Sequence, residues 1–250
     1  MAQFLSDGIS IAYDVHGEGR PILLIHGFGS TGKVNWVDTG WVKTLTDAGY
    51  QAITMDNRGH GDSRKLYDTK LYFAHQMARD ALNLLDHLGL SEAAVMGYSM
   101  GARITAFLAL NHPDRVSCAI MGGMGGNLMS GLEDSEEIIS ALTADSLDQV
   151  KSKIGRMFRI FADHNGADRA ALAACMVTSR EPMPAEDVSR ITVPVLVAVG
   201  EEDEMAGPAD ALADLLPNGE AFTIPRRDHM RATGDPQFKR AALAFLEQHK

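Results

Sequence analysis

The pentapeptide Gly97-Tyr98-Ser99-Met100-Gly101 sets a serine between two glycines. It follows the apolar run Ala93 to Met96 and precedes the almost wholly apolar stretch Ala102 to Leu110. That context reads as strand, tight turn and helix, the setting of a nucleophile elbow. In so tight a turn, side chains at the flanks would clash, and the serine hydroxyl is pushed clear of a strained backbone. The chemistry this permits is covalent catalysis by Ser99. A serine hydroxyl is a poor nucleophile at neutral pH, so it needs a base, and the base needs an orienting carboxylate. Two later segments offer both. Val193 to Val199 reads as a strand followed by Gly200-Glu201-Glu202-Asp203-Glu204, and Ala221 to Ile224 as the last strand, followed by Arg226-Arg227-Asp228-His229-Met230. Each loop leaves the carboxyl end of a strand, the edge where open α/β sheets bind ligands. His229 is the candidate general base. Of the nine histidines, His75, His87 and His112 fall in or at the ends of helices, His16 in a turn and His249 at the terminus. The carboxylate comes from the acidic loop, whose remaining members are then a solvated surface.

Positioning these groups requires a sheet. Ile9 to Val15 alternates apolar and polar residues, as an edge strand of a hairpin does, and His16-Gly17-Glu18-Gly19 turns the chain. Pro21 to Ile25, Ala52 to Met55 and Val116 to Met121 are short continuous apolar runs, the signature of strands buried on both faces of a parallel sheet. Leu71 to Leu88 carries apolar residues at helical spacing and ends at Gly89. Strands alternating with helices imply right-handed crossovers and a doubly wound sheet. From Gly122 to Val188 no strand is evident. Gly122 to Gly126 reads as a flexible exit from the sheet. Leu147, Val150, Ile154, Met157, Phe158 and Phe161 form one helical stripe, and Ala167 to Val177 a further helix.

Composition narrows the classes. Lys and Arg total 23 against 33 Asp and Glu, a net charge of −10, which argues against a nucleic-acid partner. No apolar run approaches the roughly 20 residues that span a bilayer, so no membrane role is expected. Met1 to Gly8 lacks the pattern of a signal peptide, and the two cysteines, Cys118 and Cys175, have no metal-ligand spacing. A reducing cytoplasm and ordinary buried thiols follow as expectations.

Taken together, these segments resemble an α/β-hydrolase over nearly the whole chain. The family's order of nucleophile, acid and histidine fits Ser99, Asp203 and His229, and motif spacing favours Asp203 over Glu201, Glu202 and Glu204. His26-Gly27-Phe28-Gly29 is similar to the family's oxyanion loop, and Asp56 to Ser63 resembles its Asp-x-x-Gly-x-Gly-x-Ser segment, expected to shape the fold. The resemblance implies an α/β-hydrolase fold, a mostly parallel doubly wound sheet with a helical cap insertion. Residues 1–121 and 189–250 would form the core domain and 122–188 the cap. It implies an oxyanion hole from the N–H groups of Phe28 and Met100, and no metal or organic cofactor. Asn35 and Trp36 follow the oxyanion loop as candidates to touch substrate, or as a helix N-cap and a core residue. Met124, Met157 and Met230 are candidates for an adaptable apolar substrate wall, with Met100, Met129 and Met205 near them.

The same resemblance argues against some chemistry. Haloalkane dehalogenases and epoxide hydrolases of this fold use aspartate where Ser99 stands. Hydroxynitrile lyases place a lysine after the histidine, where this chain has Met230. Carbon–carbon hydrolases of ring-cleavage products show Asn-Ser-Met-Gly-Gly at the elbow and Trp after the histidine, against Tyr98-Ser99-Met100-Gly101-Ala102 and Met230 here. Arg156, Arg159 and Arg180 are either carboxylate binders or surface charges. The expected function is hydrolysis of carboxylic esters with small to medium apolar acyl groups through an acyl-enzyme, by a monomer or homodimer acting on a small molecule. A carbon–carbon hydrolase and a small-molecule receptor that retains the triad are the alternatives.

Overall fold

The computed structural model describes residues 1–130 and 134–250. Eight strands form a single sheet: β1 Ala2–Ser6, β2 Ile9–His16, β3 Arg20–Ile25, β4 Tyr50–Met55, β5 Ala93–Tyr98, β6 Val116–Gly122, β7 Val195–Gly200 and β8 Gly219–Ile224, in the order β1-β2-β4-β3-β5-β6-β7-β8. β2 runs antiparallel to β1 and β4, and every other pairing is parallel. The helices are α1 Trp41–Asp47, α2 Ala74–His87, α3 Met100–Asn111, α4 Ser135–Thr143, α5 Lys153–His164, α6 Arg169–Thr178, α7 Ala185–Val188, α8 Ala209–Ala213, α9 His229–Ala232 and α10 Pro236–Gln248.

The central strands β5 and β7 are buried at every residue, which is why their sequences are unbroken apolar runs. Their alternate side chains feed two separate cores. One holds Leu23, Ile25, Val95, Met121 and Val197 with α2 and α3. The other holds Ile22, Leu24, Met96, Ile120 and Ala198 with Trp36, Trp41 and the Phe238–Phe245 face of α10. β7 begins at Val195, just after Pro194, which has no N–H to give a ladder. β1 is not announced by the sequence, because only Phe4 and Ser6 of its five residues are buried.

Between β6 and β7 the described residues form α4 to α7 and no strand. The stripe from Leu147 to Phe161 is not one helix. Leu147–Gln149 is a separate 3₁₀ turn, and α5 starts afresh where Ser152 Oγ accepts the Gly155 N–H at 3.1 Å. Gly122 to Gly126 is also not a loose exit. The Gly123, Gly125 and Gly126 N–H groups donate to the carbonyls of Ala198, Ala206 and Pro208. Both cysteines are free and buried, and burial pushes the Cys118 thiol up to about 11 and the Cys175 thiol up to about 12. Among the described residues no helix is long and apolar enough to cross a membrane.

Candidate active site

Ser99 lies between β5 and α3 with φ 54° and ψ −113°, in the left-handed region that a non-glycine residue avoids. The surrounding packing enforces this. Its N–H donates to the Gly122 carbonyl at 2.8 Å. A Cβ on Gly97 would lie 2.1 Å from the Gly101 carbonyl oxygen, and a Cβ on Gly101 1.9 Å from the Ile25 carbonyl oxygen. The glycines are therefore required by the closeness of the turn to itself and to β3.

The acidic loop after β7 sorts itself by burial. Asp203 is buried, while Glu201, Glu202 and Glu204 are exposed. Asp203 Oδ2 pairs with His229 Nδ1 at 2.7 Å, and Oδ1 accepts the N–H groups of Met205 and Ala206 at 3.1 Å each. A carboxylate only accepts, so Nδ1 carries the ring proton and Nε2 is left as the basic lone pair. Asp228 instead N-caps α9 through the N–H groups of Met230 and Arg231.

Ser99 and His229 line one cavity of ≈ 200 Å³. Its apolar wall is Phe28, Val34, Met157, Phe158, Phe161 and Met230. Its polar lining is Ser30, Asn35, Thr39, Tyr98 and Thr233, with Gly27 at the turn. No lysine or arginine is among these residues. No hydrogen bond joins Ser99 Oγ to the imidazole among the described residues. In enzymes, contacts of this kind often tighten only when substrate is bound. The Phe28 N–H donates to no group among the described residues, and Met100, as first residue of α3, has no intrahelical acceptor for its own. Two free donors thus flank the serine, an arrangement able to hold the charge of a tetrahedral intermediate.

Met157 and Met230 stand on the cavity, 37% and 46% exposed. Trp36 and Met124 do not. Trp36 is fully buried edge-to-face on Trp41 at 6.3 Å, and Met124 is buried in the core on the α3 side of the sheet. Apolar type alone could not separate a wall residue from one layer deeper. Asn35 is no N-cap. It sits inside a short π-helical turn, Lys33–Val37, where its Oδ1 accepts the Gly27 N–H at 3.0 Å and so holds the loop carrying Phe28. The three arginines are off the cavity. Arg156 donates to Leu147, Arg159 to Ala141 and Ala144, and Arg180 stacks over the Phe28 ring at 5.6 Å.

The Asp56–Ser63 segment braces the site from behind. Asp56 accepts the N–H groups of Gly32 and Asp62 at 2.8 Å, and Arg58 makes a two-point pair with buried Asp80 at 2.7 Å. His26 and His60 are buried here with ring centroids 5.1 Å apart. His26 Nδ1 bonds the Gly27 carbonyl at 2.7 Å while Nε2 accepts the Asn57 N–H at 2.9 Å, so its neutral form fits and a second proton does not. Burial lowers His26 to about 4 and, with His26 beside it, His60 to about 3.

A family model described as alpha/beta hydrolase fold matches residues 20–156. The chain is 28% identical to a putative non-heme bromoperoxidase, BpoC, of Mycobacterium tuberculosis, over 94% of this chain and 96% of that protein. It is 25% identical to a 2-hydroxy-6-oxo-6-(2'-aminophenyl)hexa-2,4-dienoic acid hydrolase of Metapseudomonas resinovorans, over 96% of this chain and 89% of that one. An esterase structure from Exiguobacterium antarcticum superposes with a TM-score of 0.82, covering 99% of this chain and 100% of that one at 19% identity, a likeness of fold alone.

Proposed function

Since the chain belongs to the α/β-hydrolase fold family, we propose that it is a serine carboxylesterase (EC 3.1.1) acting on neutral esters of small to medium apolar acyl groups. The observation that carries this reading is the strained Ser99 sharing one cavity with an imidazole whose Nδ1 is held by buried Asp203 at 2.7 Å. Ser99 Oγ attacks the acyl carbon as His229 Nε2 takes its proton, and the N–H groups of Phe28 and Met100 stabilise the oxyanion. His229 returns the proton to the leaving alcohol, and water then releases the acid from the acyl-enzyme by the same steps reversed. The described residues between the end of β6 and Val188 act as the cap, since α5 supplies Met157, Phe158 and Phe161 to the cavity wall.

The wall also bears on the carbon–carbon alternative. A dienoic acid substrate brings a carboxylate into the cavity, and no cation lines it to offset the loss of solvation. A second outcome for the acyl-enzyme, capture by hydrogen peroxide in place of water, draws support from the full-length similarity to a protein named a bromoperoxidase.

A p-nitrophenyl ester series from acetyl to dodecanoyl tests the reading. The cavity is smaller than the roughly 300 Å³ from which pockets for drug-sized ligands begin. The expected profile therefore peaks between acetyl and hexanoyl, with kcat/KM lower by about tenfold or more at dodecanoyl. Tight binding without turnover of any ester would point to a receptor instead.

A further inference from the structure

Tyr98, the residue before the proposed nucleophile, reaches across the site. It is the last residue of β5, it is among the residues lining the cavity, and only 4% of it is exposed. Its hydroxyl donates to the main-chain carbonyl of His229, 131 residues further along the chain. The phenol ring also lies against the imidazole, with centroids 5.4 Å apart and planes at 53°. The fold makes room for this placement. A Cβ on Gly122 would come within 2.8 Å of the Tyr98 ring, and one on Gly123 within 2.7 Å.

The partner segment is short. His229 opens the four-residue helix α9, which cannot hold its own position by internal hydrogen bonds. It is fastened at both ends by aromatic donors, Tyr98 at His229 and Trp41, whose Nε1 donates to the Thr233 carbonyl at 2.6 Å. The Arg227–Asp235 pair at 2.6 Å closes the loop behind it. Asp203 fixes only one ring nitrogen, and a ring held there alone can still swing about that bond.

We propose that Tyr98 is a positioning residue for the base: by holding the His229 carbonyl, its hydroxyl sets the separation between the imidazole and Ser99. The nucleophile and the tether are neighbours in the chain, so that separation becomes a local property of the elbow. It does not accumulate errors from loops built far apart in sequence. Burial holds the Tyr98 phenol well above its ordinary value, so the hydroxyl keeps its proton and stays a donor at alkaline pH. The inference rests on the reading of Ser99 and His229 as nucleophile and base.

Tyr98→Phe removes the hydroxyl and keeps the ring in its slot. Two rates are compared with wild type at a temperature where circular dichroism shows both proteins folded. One is kcat and KM for p-nitrophenyl butanoate, and the other is phosphonylation of Ser99 by a fluorophosphonate, which needs the base and no particular substrate. The expected result is a fall of about tenfold or more in kcat and in phosphonylation alike, with KM nearly unchanged. Wild-type rates in Tyr98→Phe, or a change confined to KM, would overturn the positioning role. A wild-type protein that the fluorophosphonate leaves unlabelled at Ser99 would instead overturn the reading of the site.

Discussion

If the chain is the proposed serine esterase, Asp203→Asn is expected to lower kcat for ester hydrolysis on the order of 10⁴-fold while leaving the protein folded. The effect is large because the substitution reverses one hydrogen bond. The amide oxygen of asparagine can still accept the Met205 and Ala206 N–H groups that Asp203 Oδ1 now accepts. Its NH₂ then faces His229 Nδ1 in place of the carboxylate oxygen at 2.7 Å. A donor there favours the ring form with its proton on Nε2, and a protonated Nε2 cannot take the proton of Ser99. Buried Asp203 would also no longer offset the imidazolium formed during attack. Steady-state kinetics and a thermal melt check this together. A loss below about tenfold in a folded variant would mean that another group orients the base.

Acidification gives the second large effect, on stability. His26 and His60 are wholly buried and titrate at about 4 and about 3, against about 6.5 in the unfolded chain. Above pH 6.5 both states are neutral at these positions, and neither histidine affects stability. Below it the unfolded chain takes up protons that the native one refuses. Stability therefore falls from pH 6.5 down to the native values. The loss is about 3 kcal/mol per histidine by pH 4, enough together to rival a typical folding free energy. Geometry supports the direction, because His60 Nε2 has no hydrogen-bond partner among the described residues and His26 Nε2 already accepts from Asn57. Urea midpoints between pH 6 and pH 5 should fall steeply in wild type. In His60→Gln, which removes one of the two titrating groups, the slope should be about half as large. An unchanged slope would show that His60 is protonated in the native state.

Much of this molecule was legible from residue types. β3, β5, β6 and β7 are short apolar runs because both faces of the sheet are covered, whereas a solvated face would have placed polar residues at alternate positions. The elbow was legible because Gly97 and Gly101 are spaced by the turn itself, and Ser99 takes the strained conformation expected of it. What periodicity could not show was depth. Trp36 and Met124 share the apolar character of Met157 and Met230, yet are buried in the cores and do not line the cavity. Nor could it show long-range tethers. The Tyr98 hydroxyl meets a carbonyl 131 residues away, and Asn35, which lines the cavity and is no helix cap, also supports Gly27. Local competition decided the break before α5, where Ser152 caps a new helix within an apolar stripe that would otherwise read as continuous. The C-terminal helix α10 did carry readable signals, an Asp235 cap, Pro236 in the first turn and a Phe238–Ala242–Phe245 face.

In the proposed reaction Ser99 carries the acyl group. Wild type and Ser99→Ala, mixed with p-nitrophenyl acetate and quenched in acid, can be digested and weighed by mass spectrometry while p-nitrophenol release is followed in parallel. The expected result is a single acetyl group on the peptide containing Ser99 in wild type. Ser99→Ala should carry no acetyl there, and its turnover should fall to the background rate. Equal turnover in the two proteins, or an acetyl group on any other residue, would contradict it.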